Sequence, residues 1–206
     1  ALLGTDGGHP LEGDIANLQL PYGAGFRLIG LTHFFDNELG GSRHGQGGPG
    51  SGLSDFGREV VAGMMERRMI IDLAHASPQM VRDVLAIPGT RPILSHTGIH
   101  GRCATTRNLP DDLVRAIARK GGLIGIGYWA DVVCGKTPTA IAETIKAAIA
   151  LVGEDHVSLG SDYDGSVDAP FDTAHLAALT QALLDQGLTE AQIADCQHSE
   201  LLQSGI

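Results

Sequence analysis

Four apolar runs in this chain of 206 residues each end in a side chain able to bind a metal or move a proton. Leu28-Ile29-Gly30-Leu31-Thr32-His33, Ile70-Ile71-Asp72-Leu73-Ala74-His75 and Pro92-Ile93-Leu94-Ser95-His96 end in imidazoles, and His156-Val157-Ser158-Leu159-Gly160-Ser161-Asp162 ends in a carboxylate. Imidazole is a good zinc ligand, and two imidazoles on consecutive strand ends can share one ion, which makes His75 and His96 the leading pair. Two satisfied core histidines are the competing reading, and the recurrence of the pattern on other runs weighs against it. Asp6, before Gly7-Gly8, closes a further short run. A carboxylate there can bridge two metal ions with a nucleophilic water between them, or simply shape a turn.

Three more residues complete the chemistry. Asp162 stands where it can take a proton from metal-bound water and pass it to a leaving amine. His33 can donate a hydrogen bond to a developing oxyanion. Arg107, in Thr106-Arg107-Asn108, can clamp a substrate carboxylate with two parallel hydrogen bonds, although taken alone a surface ion pair is its simpler reading. Glu12 falls inside an expected helix, and His9 is close enough to Asp6 to support it. Asp162-Tyr163-Asp164-Gly165 lacks the remaining ligands of a calcium loop. His44, His100, His175 and His198 fall in loops or C-terminal helices and read as bland.

Short apolar runs bounded by turn residues read as strands buried on both faces. They are expected near residues 2–5, 26–31, 70–73, 92–95, 122–127 and 156–160. Helices are expected between them, over 11–24, 54–68, 78–85, 110–119, 139–152 and 173–186, with a last short one from Thr189. Ser54 or Asp55 and Ser77 are expected N-caps, and Pro78 sits at a favoured first position. Repeated strand-loop-helix units imply parallel strands with right-handed crossovers. The expected fold is α/β, a (β/α)8 barrel with ligands at the C-terminal strand ends, of which six of the eight units are visible. Residues 40 to 52, with seven glycines and no large apolar side chain, are expected to form a flexible surface loop.

Composition bounds the rest. The length favours one domain over 1–206, and 43% hydrophobic residues suffice for a sizeable core. A net charge of −10 argues against nucleic acid or an anionic membrane as partner. No run is long enough for a transmembrane segment, and no signal peptide is visible before Gly4-Thr5-Asp6. The chain lacks an initiator Met, so it reads as starting inside a longer protein. Cys103, Cys134 and Cys196 are odd in number and widely spaced, which predicts neither a disulfide framework nor a cysteine zinc site. That fits a reducing compartment and so favours the cytoplasm.

Together the motifs resemble those of the membrane (renal) dipeptidase family, zinc-dependent peptidases of the M19 type. Gly7-Gly8-His9, Leu31-Thr32-His33, Gly57-Arg58-Glu59-Val60-Val61, Ile71-Asp72-Leu73-Ala74-His75, Ser95-His96, Arg107-Asn108-Leu109 and Gly160-Ser161-Asp162-Tyr163-Asp164-Gly165 carry the resemblance, in family order, from about residue 4 to residue 193. The resemblance implies a two-zinc (β/α)8 hydrolase in which a metal-bound hydroxide splits dipeptides, often with a D-residue at the C-terminal position. It implies that His75 and His96 ligate one zinc, His33 contacts the scissile carbonyl, Arg107 holds the substrate carboxylate and Asp162 transfers the proton. It also implies a homodimer.

Three departures stand out. Asp6 falls where the family has a longer bridging Glu. The family's His-x-Asp on the first barrel strand has no counterpart, its expected place lying before Ala1. Cys196-Gln197-His198-Ser199-Glu200 does not resemble the family's Gly-Asn-Leu-Arg ending. Trp129 also stands where some members have Tyr. These departures leave open a family member that binds peptide or one metal without catalysis. A different amidohydrolase-type reaction is a further alternative.

Overall fold

The computed structural model describes residues 2–198. Ala1, and Ser199 and Glu200 of the divergent ending, lie outside the described residues. The chain divides into two compact units that meet in sequence between Ile93 and Leu94.

In the first unit β1 (Leu3–Thr5), β2 (Phe26–Gly30) and β3 (Ile70–Asp72) form a parallel sheet in that order. Its register pairs Ile29 with Ile71 and Gly30 with Asp72. Ile93 extends the sheet as a single parallel bridge to Asp72. The unit's helices are α1 (Gln19–Gly23), α2 (Asp55–Glu66) and α3 (Pro78–Ala86). Ser54 caps α2 by accepting from the Gly57 amide, and Ser77 caps α3 by accepting from Met80. Val60, Val61 and Met64 of α2 and Met80, Val81 and Val84 of α3 are fully buried, each worth about 2 kcal/mol in apolar surface removed from water.

Three expectations fail in this unit. The helix over 11–24 is broken into 3-10 turns at His9–Leu11 and Ile15–Leu18 followed by α1. Glu12 and Gly13 there have φ of 48° and 72°, outside the right-handed helical region. The apolar spacing still did its work, since Leu11 and Leu18 are buried. β1 is not buried on both faces: it is the outer strand of its sheet, and Leu3 is 51% exposed. Finally, the glycine-rich loop is tied down. Bridges link Gly40 to Leu53 and Ser42 to Ala76, and Ser42 and Arg43 are buried.

In the second unit β4 (Leu94–Thr97), β5 (Ile124–Ile126) and β6 (Val157–Leu159) form another parallel sheet in sequence order. The helices are α4 (Asp111–Arg119), α5 (Ala130–Val133), α6 (Pro138–Val152), α7 (Ala177–Asp185) and α8 (Glu190–His198). Thr137 caps α6 by accepting from Ala140, and Ile141, Ile145 and Ala148 form its buried face. The single turn α5 was not foreseen, because four residues are too few to show a helical period.

The cysteine expectation is overturned. Cys103 and Cys134 form a disulfide with Cα atoms 5.5 Å apart, which removes the argument for a reducing compartment. Leu94 and Ile124 are register partners on neighbouring strands. A sequence separation of 31 therefore brings two residues to matching places after those strands. Wide spacing in sequence is close spacing in a repeating βα chain. Among the described residues no helix is long and apolar enough to cross a membrane.

Candidate functional site

His33 and His75 each stand three residues beyond a register pair, Gly30 of β2 and Asp72 of β3. Equal offsets from paired strand ends put the two imidazoles side by side, with ring centroids 4.5 Å apart. Asp6 follows β1 directly and completes the group. Its Oδ2 lies 3.3 Å from His75 Nε2 and 3.7 Å from His33 Nε2. One ligand atom from each of the three residues falls within 4.8 Å of the others. A carboxylate oxygen and two imidazole nitrogens on strand ends are donors of the kind zinc takes, so the residues present fit a divalent cation. His75 is buried, while the Asp6 and His33 side chains are 36% and 39% exposed.

The backbone behind these three residues is held by the loop expected to be flexible. Ser42 Oγ donates to the His33 carbonyl at 2.5 Å, and the Arg43 amide donates to the His75 carbonyl at 2.8 Å. Arg43 also reaches the Ala76 carbonyl with its guanidinium. Buried Asp72 accepts from the Ala74 amide and shapes the turn that leads to His75. None of Ser42, Arg43 or Asp72 was singled out from the sequence. The signal available was the glycine spacing around Ser42 and Arg43, and it reads equally well as a slack loop.

In the second unit the structure brings His96, Asp162 and Arg107 together. His96 lies on β4, 6% exposed, with Ser95 Oγ 2.7 Å from its Nδ1 and Asp162 Oδ2 3.9 Å from its Nε2. Asp162 sits beyond β6 in the left-handed region at φ 57°, and its carbonyl accepts from the Gly165 amide. Arg107 is no surface ion pair. It is 5% exposed, donates to the His96 carbonyl at 3.1 Å, and carries its guanidinium 5.4 Å from the centroid of the Trp129 ring. The His96 and Trp129 ring centroids are 6.0 Å apart.

A frame absent from the sequence reading holds Arg107. The buried Asn108 side chain accepts from the Gly98 amide at 2.8 Å and donates to the Cys103 and Val132 carbonyls at 2.9 and 3.0 Å. Thr105 donates to the Asp131 carbonyl, and the Cys103–Cys134 disulfide closes the same pair of loops. A Cβ at Gly98 would stand 1.8 Å from the Val132 carbonyl oxygen, so only glycine permits this approach. Burial pushes the nearby Tyr128 phenol far above its ordinary range, with Tyr163 adding to the shift, and keeps it protonated.

The remaining candidates stay outside both groups. Glu12, His9 and His100 are exposed. His175 pairs with Asp172 at 2.7 Å. The His198 side chain is not described.

Comparison with known proteins bears on both groups. The family model described as membrane dipeptidase (peptidase family M19) matches residues 1–203. The chain is 32% identical over 197 residues to the dipeptidase aclJ of Aspergillus oryzae, covering 92% of this chain and 47% of that protein. It therefore spans about half the length of the curated relative it matches. Among solved structures it is similar to the probable dipeptidase PvdM from Pseudomonas aeruginosa, with a TM-score of 0.87 at 20% identity over 98% of this chain and 67% of that one. It is also similar to a metallo peptidase from Rhodobacter sphaeroides liganded with a phosphinate mimic of L-Ala-D-Ala. There the TM-score is 0.83 at 24% identity, over 96% of this chain and 60% of that one. At these identities the two structures speak for the fold.

Proposed function

The chain belongs to the membrane dipeptidase family, peptidase family M19, and from that premise we propose that it hydrolyses the peptide bond of dipeptides with the help of zinc. The observation that carries the reading is the convergence of Asp6, His33 and His75 at the ends of three parallel strands. Asp6 and His75 are the proposed metal ligands in the first unit, and His96 is a proposed ligand in the second. The cation supplies Lewis acidity and makes water a nucleophile at neutral pH.

The other residues divide the work. His33, half-exposed beside the ligands, donates a hydrogen bond to the scissile carbonyl as charge develops on its oxygen. Arg107, whose guanidinium Nη2 donates to the His96 carbonyl, binds the substrate's terminal carboxylate through its remaining N–H groups. Asp162 accepts the proton released by water and returns it to the departing amine. Asp6 is one methylene shorter than the family's Glu, yet its carboxylate reaches His75 at 3.3 Å, which supports a ligand role for the shorter side chain. The six strands are proposed as six of the eight of a (β/α)8 barrel. The L-Ala-D-Ala mimic bound by the Rhodobacter sphaeroides relative supports a D-residue at the C-terminal position.

Metal content and hydrolysis of L-Ala-D-Ala and L-Ala-L-Ala test the proposal. Chelation abolishes turnover and zinc or cobalt restores it. His75→Ala weakens metal binding by more than the roughly 10–100-fold that loss of an outer partner of a ligand costs. Zinc-loaded protein inactive on both dipeptides overturns the reading.

A further inference from the structure

Phe34 follows His33 directly and does not enter the core. Its ring meets His33 edge-on at 4.8 Å, lies 5.3 Å from His75, and leaves 47% of the residue exposed. Its other neighbour is His44, whose ring lies 5.3 Å away at an interplanar angle of 32°. The two rings make one aromatic face beside the three ligand-type residues.

The loop that presents His44 is built, not slack. The Asp36 carboxylate accepts from the Ser42 amide at 2.7 Å and from the Gly47 amide at 2.8 Å. Ser42 Oγ, which donates to the His33 carbonyl, also accepts from the His44 amide at 3.3 Å. A Cβ at Gly45 would fall 1.8 Å from Asp36 Oδ1, so the chain wraps the carboxylate only because that residue is glycine. One network thus fixes both the His33 backbone and the place of His44. Sites for small molecules pair a few polar groups with apolar and aromatic walls, and commonly sit on loops held by a rigid scaffold. The cluster supplies the polar groups, and Phe34 and His44 supply the wall.

We propose that Phe34 and His44 form the aromatic wall of a subsite beside Asp6, His33 and His75, through which the protein selects dipeptides carrying a bulky apolar side chain that packs on the two ring faces. The inference rests on the dipeptidase reading and names the substrate class within it. Phe35, 73% exposed and without a ring contact to the cluster, is not part of the wall and serves as its control.

The test compares L-Leu-Gly with Gly-Gly on the zinc-loaded full chain. The parent prefers L-Leu-Gly by roughly tenfold or more in kcat/KM, the scale a hydrophobic pocket gives for a few methylenes. The preference lies mainly in KM. Phe34→Ala and His44→Ala bring the ratio toward one, Phe34→Leu keeps most of it, and Phe35→Ala leaves it in place. Cobalt affinity of Phe34→Ala equals that of the parent, which separates loss of the wall from collapse of the cluster. A ratio that survives Phe34→Ala, or that falls equally in Phe35→Ala, overturns the wall. If neither dipeptide is hydrolysed the dipeptidase reading fails, and equilibrium dialysis of the same two dipeptides then decides the wall: equal binding overturns it.

Discussion

The two units hold their candidate site residues by different means. In the first, Asp6 follows an outer strand, Asp6 and His33 are more than one-third exposed, and the supporting loop is fixed by Ser42, Asp36 and backbone hydrogen bonds. In the second, His96 and Arg107 are nearly wholly buried, and two loops behind them are locked by Asn108 and by the Cys103–Cys134 disulfide. A buried guanidinium is costly unless its partners are fixed in advance, so the frame around Arg107 is dense and covalently closed.

The covalent link is where the contrast breaks most sharply. Replacing both Cys103 and Cys134 by Ser frees a loop spanning a sequence separation of 31, and for a loop of that size the expected loss is about 3.5 kcal/mol. Urea denaturation measures the loss. Hydrogen exchange locates it in residues 98–108 and 129–134, with the β2 and β3 amides less affected. A variant as stable as the parent would show that hydrogen bonds alone suffice and that the two units are held alike.

The next largest effect compares one polar anchor from each unit. Asn108→Ala leaves the Gly98 amide and the Cys103 and Val132 carbonyls without their partner, for an expected loss of about 2–3 kcal/mol. Because Arg107 is the adjacent residue, KM rises more than kcat falls. Ser42→Ala removes the hydroxyl from the His33 carbonyl and costs about 1 kcal/mol. Its signature is weaker cobalt binding, not a higher KM, and Ser42→Thr restores it. The contrast fails if both variants lower metal affinity and KM in the same proportion.

What the sequence showed and hid follows the same division. Strand ends were legible because apolar runs stop at them, and His33, His75, His96, Asp6 and Asp162 could be named from those stops. The caps Ser54 and Ser77 were legible because their hydrogen bonds are local. The supports were not. Ser42 acts on His33 nine residues away, Asn108 on Val132 at 24 residues, and Cys103 on Cys134 at 31. The last two follow only from the register of neighbouring strands, and the first from the path of the loop between β2 and α2, neither of which local apolar spacing encodes. The break at Glu12 and Gly13 was hidden for the opposite reason: Leu11 and Leu18 kept the apolar spacing of a helix that the backbone does not form.

The smallest effect concerns the cysteine left out of the disulfide. Cys196, on α8, is buried. Burial, with smaller contributions from Asp195 and Glu154, pushes its thiol up to about 11. The unfolded chain ionises this thiol near its ordinary value of 9.0, so the unfolded state loses its proton first as pH rises. The stability linked to Cys196 is therefore complete below pH 9 and is lost as pH climbs toward 11. Cys196→Ala removes that slope, which urea denaturation between pH 8 and pH 10.5 detects. Iodoacetamide gives a second readout, because only the thiolate reacts: at pH 9 the native protein is alkylated slowly and the urea-unfolded protein quickly. Equal rates in the two states would mean that the second unit opens at α8 under native conditions and that its dense packing is confined to the loops around Arg107.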